Sequence, residues 1–274
     1  MSIILATPDN YETIRKTIKH LRRQTVKHQL EIIIVAPSCS SLHADESELG
    51  DFLQVRIVEV GTMTSIGSAN AKGIRQACAP IVALAEDHVF PAPDWAEALI
   101  AAHRHPWAAV GPVIRNPNNP KSVIAWADAL IGFGEYLAPR ESGIVERLPG
   151  NNSSYKREML LNYGSQLETM MENETLIHKD LRQKGYQLYL ESSAQVSHLN
   201  FERLRSFIEV KFLSGRIFGA ARAQGWSPFY RLFFACGTPL IPLVRYHRLK
   251  KRGHLSGNIA RCLVEPFPWP GADY

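Results

Sequence analysis

The sequence has no run of about 18 uninterrupted apolar residues, so no segment reads as a helix that spans a bilayer. Cysteine is scarce. The four residues Cys39, Cys78, Cys236 and Cys262 contain no C-x-x-C pair, which argues against a zinc module or a disulfide scaffold and suits a reducing cytosol. The apolar run at Ser2–Thr7 is too short for a signal peptide and has no basic residues before it. The reading is therefore a cytoplasmic chain, neither secreted nor integral to a membrane. There is no Walker A loop, G-x-G-x-x-G, G-x-S-x-G or H-E-x-x-H. Those absences remove P-loop NTPases, Rossmann dehydrogenases, α/β-hydrolases and zincins. No repeat at solenoid or propeller spacing is present either.

What is there is 274 residues, 45% hydrophobic and 21% charged, enough to bury a sizeable core. The net charge of +5 is unevenly spread. Residues 1–198 carry 19 Lys+Arg against 22 Asp+Glu, and residues 199–274 carry 12 against 4. The basic excess thus belongs to the last quarter, mixed with aromatics and prolines, and suggests an anionic partner for it.

Along the chain, Ser2–Thr7 and Glu31–Ala36 read as buried strands. Between them Ile14, Ile18 and Leu21 recur at helical spacing, with Asp9 and Glu12 as a capping box. That is a βαβ unit, which implies a parallel sheet with a right-handed crossover. A third strand is expected at Gln54–Val60 and a helix over 67–78, with Ile74, Ala77 and Cys78 inward. Ile81–Ala85 is a fourth strand, Pro93–His103 a helix and Trp107–Ile114 a strand. Residues 115–148 read as an insertion with a helix near 122–131. Leu148–Tyr155 reads as a strand passing into a loop. A single helix is expected from Glu168 to Lys184, stopped by Gly185. Tyr186–Glu191 and Ala194–His198 read as two short strands, and Phe201 onward as helical. The alternation gives an α/β fold over residues 1–200 with a helical, basic appendage over 201–274.

Four constellations carry chemistry. Glu86-Asp87-His88 lies at the C-terminal end of an apolar strand, where open α/β sheets bind ligands. Carboxylate and imidazole together can hold Mg²⁺ or Mn²⁺, the imidazole favouring Mn²⁺; the competing reading is a solvated turn. Glu172 and Glu174 flank Asn173 within the expected helix, and either could deprotonate a hydroxyl if it faced a cleft. A solvated helix face is the bland alternative. His198 closes a short strand and could complete a metal site or simply be a structural histidine. Gly150, Asn151 and Asn152 form a turn whose amides could bind a hydroxylated ligand, although turn chemistry alone accounts for these residue types.

Taken in order, these features resemble glycosyltransferase family 2, whose members have a GT-A fold. The resemblance rests on several segments between residues 2 and about 200. They are the opening strand with Thr7-Pro8, Leu21-Arg-Arg-Gln-Thr25, Ser68-Ala69-Asn70-Ala71-Lys72-Gly73-Ile74, Ala85-Glu86-Asp87-His88 with its Pro93-Asp94-Trp95 sequel, Leu148–Arg157, and Glu172-Asn173-Glu174-Thr-Leu176 followed by Gly185-Tyr186 and His198. It implies inverting transfer of a sugar from a nucleotide-diphosphate donor to a hydroxyl acceptor. Glu172 or Glu174 would be the base. Thr7, Pro8, Ser38, Asn70, Glu86 and Asp87 would lie at the donor. His88, Asp87 and His198 would hold a divalent metal, and Gly150, Asn151 and Asn152 would meet the acceptor. The chain departs from the pattern in four places. Ala36-Pro37-Ser38 lacks the acidic residue that reads uracil. Glu86-x-His88 replaces D-x-D. Ala69-Asn70-Ala71 lacks the arginine of A-R-N, and Asn173 stands where the E-D pair has its Asp. These departures motivate a competing reading: a relative that binds nucleotide sugars, or acts as a scaffold, without catalysing transfer.

The basic region carries large apolar side chains, including Phe207, Phe212, Phe218, Trp226, Phe229, Tyr230, Phe233 and Phe234. Among the cations beside them are Lys211, Arg216, Arg222, Arg231, Arg245, Arg248, Lys250, Lys251 and Arg252. Its apolar stretch Leu232–Val244 would span about 20 Å as a helix, short of the ~30 Å hydrocarbon core, and Pro239 and Pro242 interrupt it. Peripheral attachment to an anionic membrane surface is therefore expected rather than spanning, and a lipid-linked acceptor would fit it. Nucleic acid is not an expected partner, because residues 1–198 are net acidic and contain no nucleic-acid module.

Overall fold

A computed structural model of the protein describes residues 1–223 and 225–251. Arg252 and Cys262 lie outside these, as do the side chains of Phe218, Arg222, Arg245, Arg248, Lys250 and Lys251. The chain divides into two compact units, residues 1–115 with 138–198, and residues 116–137 with 199 onward.

The first unit opens with β1 (Ser2–Ala6), α1 (Tyr11–Arg22), β2 (Glu31–Ala36), the short α2 (Cys39–Leu42) and α3 (Glu46–Leu49), β3 (Gln54–Glu59), α4 (Ile66–Gln76), β4 (Ile81–Ala85), β5 (Val89–Pro91), α5 (Trp95–Ala102) and β6 (Ala109–Arg115). The chain then runs through α6 (Val123–Phe133) of the second unit. It returns with β7 (Gly143–Val145), β8 (Ser154–Lys156), α7 (Arg157–Leu161), α8 (Leu167–Met171), α9 (Glu174–Gln183) and β9 (Leu188–His198). The second unit continues with α10 (Leu204–Arg222), α11 (Pro228–Gly237) and α12 (Ile241–Lys251).

The strands form one sheet in the order β3-β2-β1-β4-β8-β6-β9-β5, with β7 also on β9. β3, β2, β1 and β4 are parallel, as the expected βαβ unit requires. β8 runs antiparallel between β4 and β6. β1 and β2 are buried along their whole length, which is why they read as continuous apolar runs. Ile14, Ile18 and Leu21 of α1 are all fully buried. α4 packs on this sheet through glycine. A Cβ on Gly73 would stand 2.5 Å from Ile4 Cγ2 and 3.0 Å from Val35 Cγ2, so only glycine lets the helix come this close.

Several expectations need correction. The cap of α1 is Asn10, not Asp9: the Asn10 side chain accepts from Glu12 N, and Asp9 N instead donates to Thr7 Oγ1 at 3.2 Å. Cys78 is exposed rather than inward. The chain leaves the helix at Ala77 with extended backbone, and Cys78 N donates to the buried Glu31 at 2.9 Å. The segment 148–156 is a loop passing into a strand, the reverse of the order expected. The single helix over 168–184 is two helices. Asn173 adopts extended backbone and its side chain accepts from Thr175 N at 3.0 Å, capping a new helix. The two short strands near the end are one strand, β9, whose register against β6 shifts between Pro112 and Val113. The residues passed over by that shift make a bulge that looks like a break in sequence.

Candidate active site

β4 ends at Ala85, and Glu86-Asp87-His88 turns the chain into β5. β5 pairs antiparallel with the end of β9, setting Val89 opposite His198. That register brings His88 and His198 together, their rings 4.8 Å apart at the centroids and edge to face. Thr17, on the buried face of α1, sends its hydroxyl to the turn, 2.9 Å from Glu86 O and 3.1 Å from Asp87 O. Sequence reasoning missed Thr17. Its signal was a hydroxyl at a helical position that shares a face with Ile14 and Leu21.

Within the turn the side chains divide their work. Asp87 Oδ1 takes His88 Nδ1 at 2.6 Å, leaving His88 Nε2 directed at Glu86 Oε2, 3.5 Å away. The imidazole beside Asp87 holds its carboxyl below the usual range. Glu86, His88 and His198 each offer one ligand atom, and these atoms lie within 4.8 Å of one another. Two imidazoles and a carboxylate are a donor set that could hold a divalent cation. Asp87, expected as a ligand, is not part of this group; its place is behind His88, the arrangement that fixes which ring nitrogen faces inward.

Glu174 lies beside the turn at Gly150. It is the first residue of α9, set there by the Asn173 cap. A Cβ on Gly150 would lie 3.2 Å from Glu174 Oε2, so the absence of a side chain at residue 150 gives the carboxylate its room. Burial raises the Glu174 carboxyl above its ordinary range, and the charge of Glu172 adds to this. Glu86 is likewise raised, chiefly by its enclosure; Glu174 and Asp87 push the same way, while His88 and a hydrogen bond from Asn151 oppose them. Gly150 borders Glu174 and the next residue, Asn151, bonds Glu86, so one loop adjoins both carboxylates.

Glu172 is engaged elsewhere. It is exposed, and Ser65, which caps α4 by accepting from Ser68 N, gives its hydroxyl to Glu172 Oε1. Two residues on, a Cβ at Gly67 would meet Met171 O at 2.6 Å, so the start of α4 abuts the α8–α9 corner. Ile177 is fully buried and Leu176 is 44% exposed. The inward apolar position at the start of α9 is therefore Ile177 and not Leu176.

The remaining candidates are distributed as follows. Thr7 is buried, its backbone N–H on Val35 O at 2.9 Å, and Pro8 is exposed beside it. Ser38 caps the short α2 and bonds Ser41. Asn70 is buried on α4, Asn151 and Asn152 are buried after Gly150, and Asn152 adopts φ +50°. Asn70 Oδ1, Asn151 Oδ1 and both amide atoms of Asn152 have no hydrogen-bond partner among the described residues.

The sequence matches the profile described as Glycosyl transferase family 2 over residues 2–164. The chain belongs to glycosyl transferase family 2. Its fold is the GT-A fold, shared with TarS of S. aureus (residues 1–349) at a TM-score of 0.52 and 14% identity, over 72% of this chain and 60% of that one. It is also shared with GalNAc-T7, solved with UDP, GalNAc and Mn²⁺, at a TM-score of 0.55 and 13% identity, over 76% of this chain and 47% of that one. Among curated proteins, the uncharacterized protein y4gI of Sinorhizobium fredii (strain NBRC 101917 / NGR234) is 29% identical over 140 residues, 49% of this chain and 15% of that protein. The chain thus spans a small part of this curated relative and less than two thirds of either structure.

Proposed function

We propose that this glycosyl transferase family 2 chain moves a sugar from a nucleotide-diphosphate donor to a hydroxyl acceptor by a single, inverting displacement, with Glu174 as general base. The observation that carries the reading is a half-buried carboxylate with raised proton affinity, Glu174, beside the Gly150 turn whose neighbour Asn151 bonds Glu86 of the Glu86, His88 and His198 cluster. A carboxyl raised by burial is better matched to taking a hydroxyl proton near neutral pH than an exposed one. The proton passes from the acceptor oxygen to Glu174 as that oxygen bonds to the anomeric carbon and the bond to the diphosphate breaks. Glu86, His88 and His198 are the residues that would hold a divalent metal, with Asp87 fixing His88. When bound, such a metal supplies charge neutralisation for the departing diphosphate. The turn 150–152, Asn70 and the Thr7–Pro8 and Ser38 loops are the surfaces assigned to acceptor and donor.

TarS has been solved with UDP and with UDP-GlcNAc, and GalNAc-T7 with UDP and Mn²⁺. Uridine diphosphate sugars are therefore the first donors to try, even though Ala36-Pro37-Ser38 lacks the acidic residue expected to read uracil. The test is a thermal-shift screen of nucleotide sugars with and without Mn²⁺. A ligand at 100 times its Kd raises stability by about 2.7 kcal/mol, so a true donor shifts the melt by several degrees, and more so with the metal present. No shift from any nucleotide sugar would remove the reading. Binding without turnover would favour the non-catalytic relative.

A further inference from the structure

The second unit carries a surface that its own fold does not cover. α11 is a properly formed helix: Ser227 caps it by accepting from Tyr230 N at 3.3 Å, and Pro228 starts it. Yet no residue of α11 is buried. Phe229 is 79% exposed, Phe233 65% and Leu232 62%. After the short turn Thr238–Leu240, α12 opens with Ile241, Leu243 and Val244, also exposed. Exposed apolar groups this dense mark a partner rather than a solvated face.

Charge identifies the partner. Between Val210 and Val264 the sequence has ten Lys and Arg and no Asp or Glu. The apolar surface therefore sits in a stretch of one sign, which complements an anionic surface. A second copy of the chain would bring the same positive stretch against itself. α11 has 10 residues and α12 has 11, so each is about 15 Å long, half the ~30 Å hydrocarbon core. No helix among the described residues is long and apolar enough to cross a membrane. Two short apolar helices joined by the 3₁₀ turn Thr238–Leu240, interrupted by Pro239 and Pro242 and set in a basic stretch, match the physics of one-leaflet attachment: side chains enter the headgroup–acyl boundary and cations meet lipid phosphates.

We infer that the helical segment α11–α12 is a one-sided anchor for an anionic lipid bilayer, with Phe229, Leu232, Phe233 and Ile241 entering the leaflet. The anchor is independent of the sugar chemistry. The experiment is co-sedimentation of the full chain with phosphatidylcholine vesicles and with mixed phosphatidylcholine–phosphatidylglycerol vesicles, at low and high salt. The expected result is binding to the mixed vesicles at low salt and far less to the neutral ones. Phe229→Asp and Phe233→Asp are exposed substitutions that should leave the thermal melt unchanged. Each should lower partitioning roughly tenfold or more, the equivalent of withdrawing one Phe from an apolar environment, and Phe233→Leu should retain it. Failure to bind mixed vesicles at low salt overturns the inference, as does binding of both Asp variants as tightly as the wild type. A stable dimer that Phe233→Asp dissolves, with no vesicle binding, would assign the face to a second copy instead.

Discussion

α4 and α11 are of similar length and lead opposite lives. α4 buries Gly67, Ala69, Asn70, Ala71, Gly73 and Ile74 against its own unit. Small residues line that face because a strand side chain and the α8–α9 corner come within contact of it. α11 buries nothing, although it is the more apolar of the two. Apolar character alone therefore does not say what a helix packs on. In α4 the spacing of small and apolar residues encodes a neighbour in the same chain. In α11 apolar residues occur on every face without that spacing, and the surroundings carry one sign of charge. That pattern encodes a partner outside the chain.

The contrast breaks most visibly under truncation of aromatics. Trp95 is fully buried and its Nε1 donates to Asn152 O at 3.3 Å. Trp95→Ala should cost about 3–5 kcal/mol in urea unfolding, whereas Phe229→Ala should stay within about 0.5 kcal/mol. Equal losses would mean that α11 is packed after all.

Acid offers the next test. His103 lies 2.9 Å from Ser154 Oγ and His178 2.9 Å from Tyr155 Oη, both within the first unit. Burial, helped by Lys156 for one and Arg147 for the other, pushes each imidazole down to about 4. The unfolded chain then binds more protons than the folded one between about pH 6.5 and 4. The stability these neutral imidazoles carry is complete above about pH 6.5 and is lost as pH falls toward 4, with about 2 kcal/mol per histidine gone by pH 5. Glu86 and Glu174, raised in the fold, act in the opposite sense. The measurement is therefore the difference between the wild type and His178→Gln, which should shrink from pH 7 to pH 5. A constant difference would show that the imidazole titrates in the fold as it does in the unfolded chain.

Smaller effects come from glycine. Gly73→Ala forces a methyl onto Ile4 and Val35 and should destabilise by about 1–3 kcal/mol. Gly219→Ala in α10 meets nothing within 4 Å and should stabilise by about 0.5–1 kcal/mol. Chemical denaturation of both variants checks the pair, and the same sign for both would contradict the packing described.

Much of this architecture was legible in the sequence because it is written in local periodicity. The strands at β1, β2 and β4 are unbroken apolar runs, α1 has its inward stripe, and the polar triplet after Ala85 stands where a parallel strand must end. What was not legible depends on distant pairing. β5 is three residues long and is defined only by its partner β9, so nothing local announces that His88 will meet His198. Asn173 is a residue type favoured at helix N-caps, but it sits inside a stretch that reads as one helix, and its extended backbone reveals that the helix restarts there. That break decides the site. In one continuous helix Glu172 and Glu174 would be equivalent candidates on different faces. With the break, Glu172 is held by Ser65 and Glu174 lies against Gly150.

The central claim is that Glu174, and not Glu172, takes the acceptor proton. The direct measurement is turnover of the donor found by thermal shift, compared between Glu174→Gln and Glu172→Gln under identical metal and acceptor conditions. Glu174→Gln should lose about 10²–10⁴-fold in kcat, the range of a general base, while donor binding stays near that of the wild type. Glu172→Gln keeps a partner for Ser65 and should retain most of its turnover. An inactive Glu172→Gln beside an active Glu174→Gln would contradict the account.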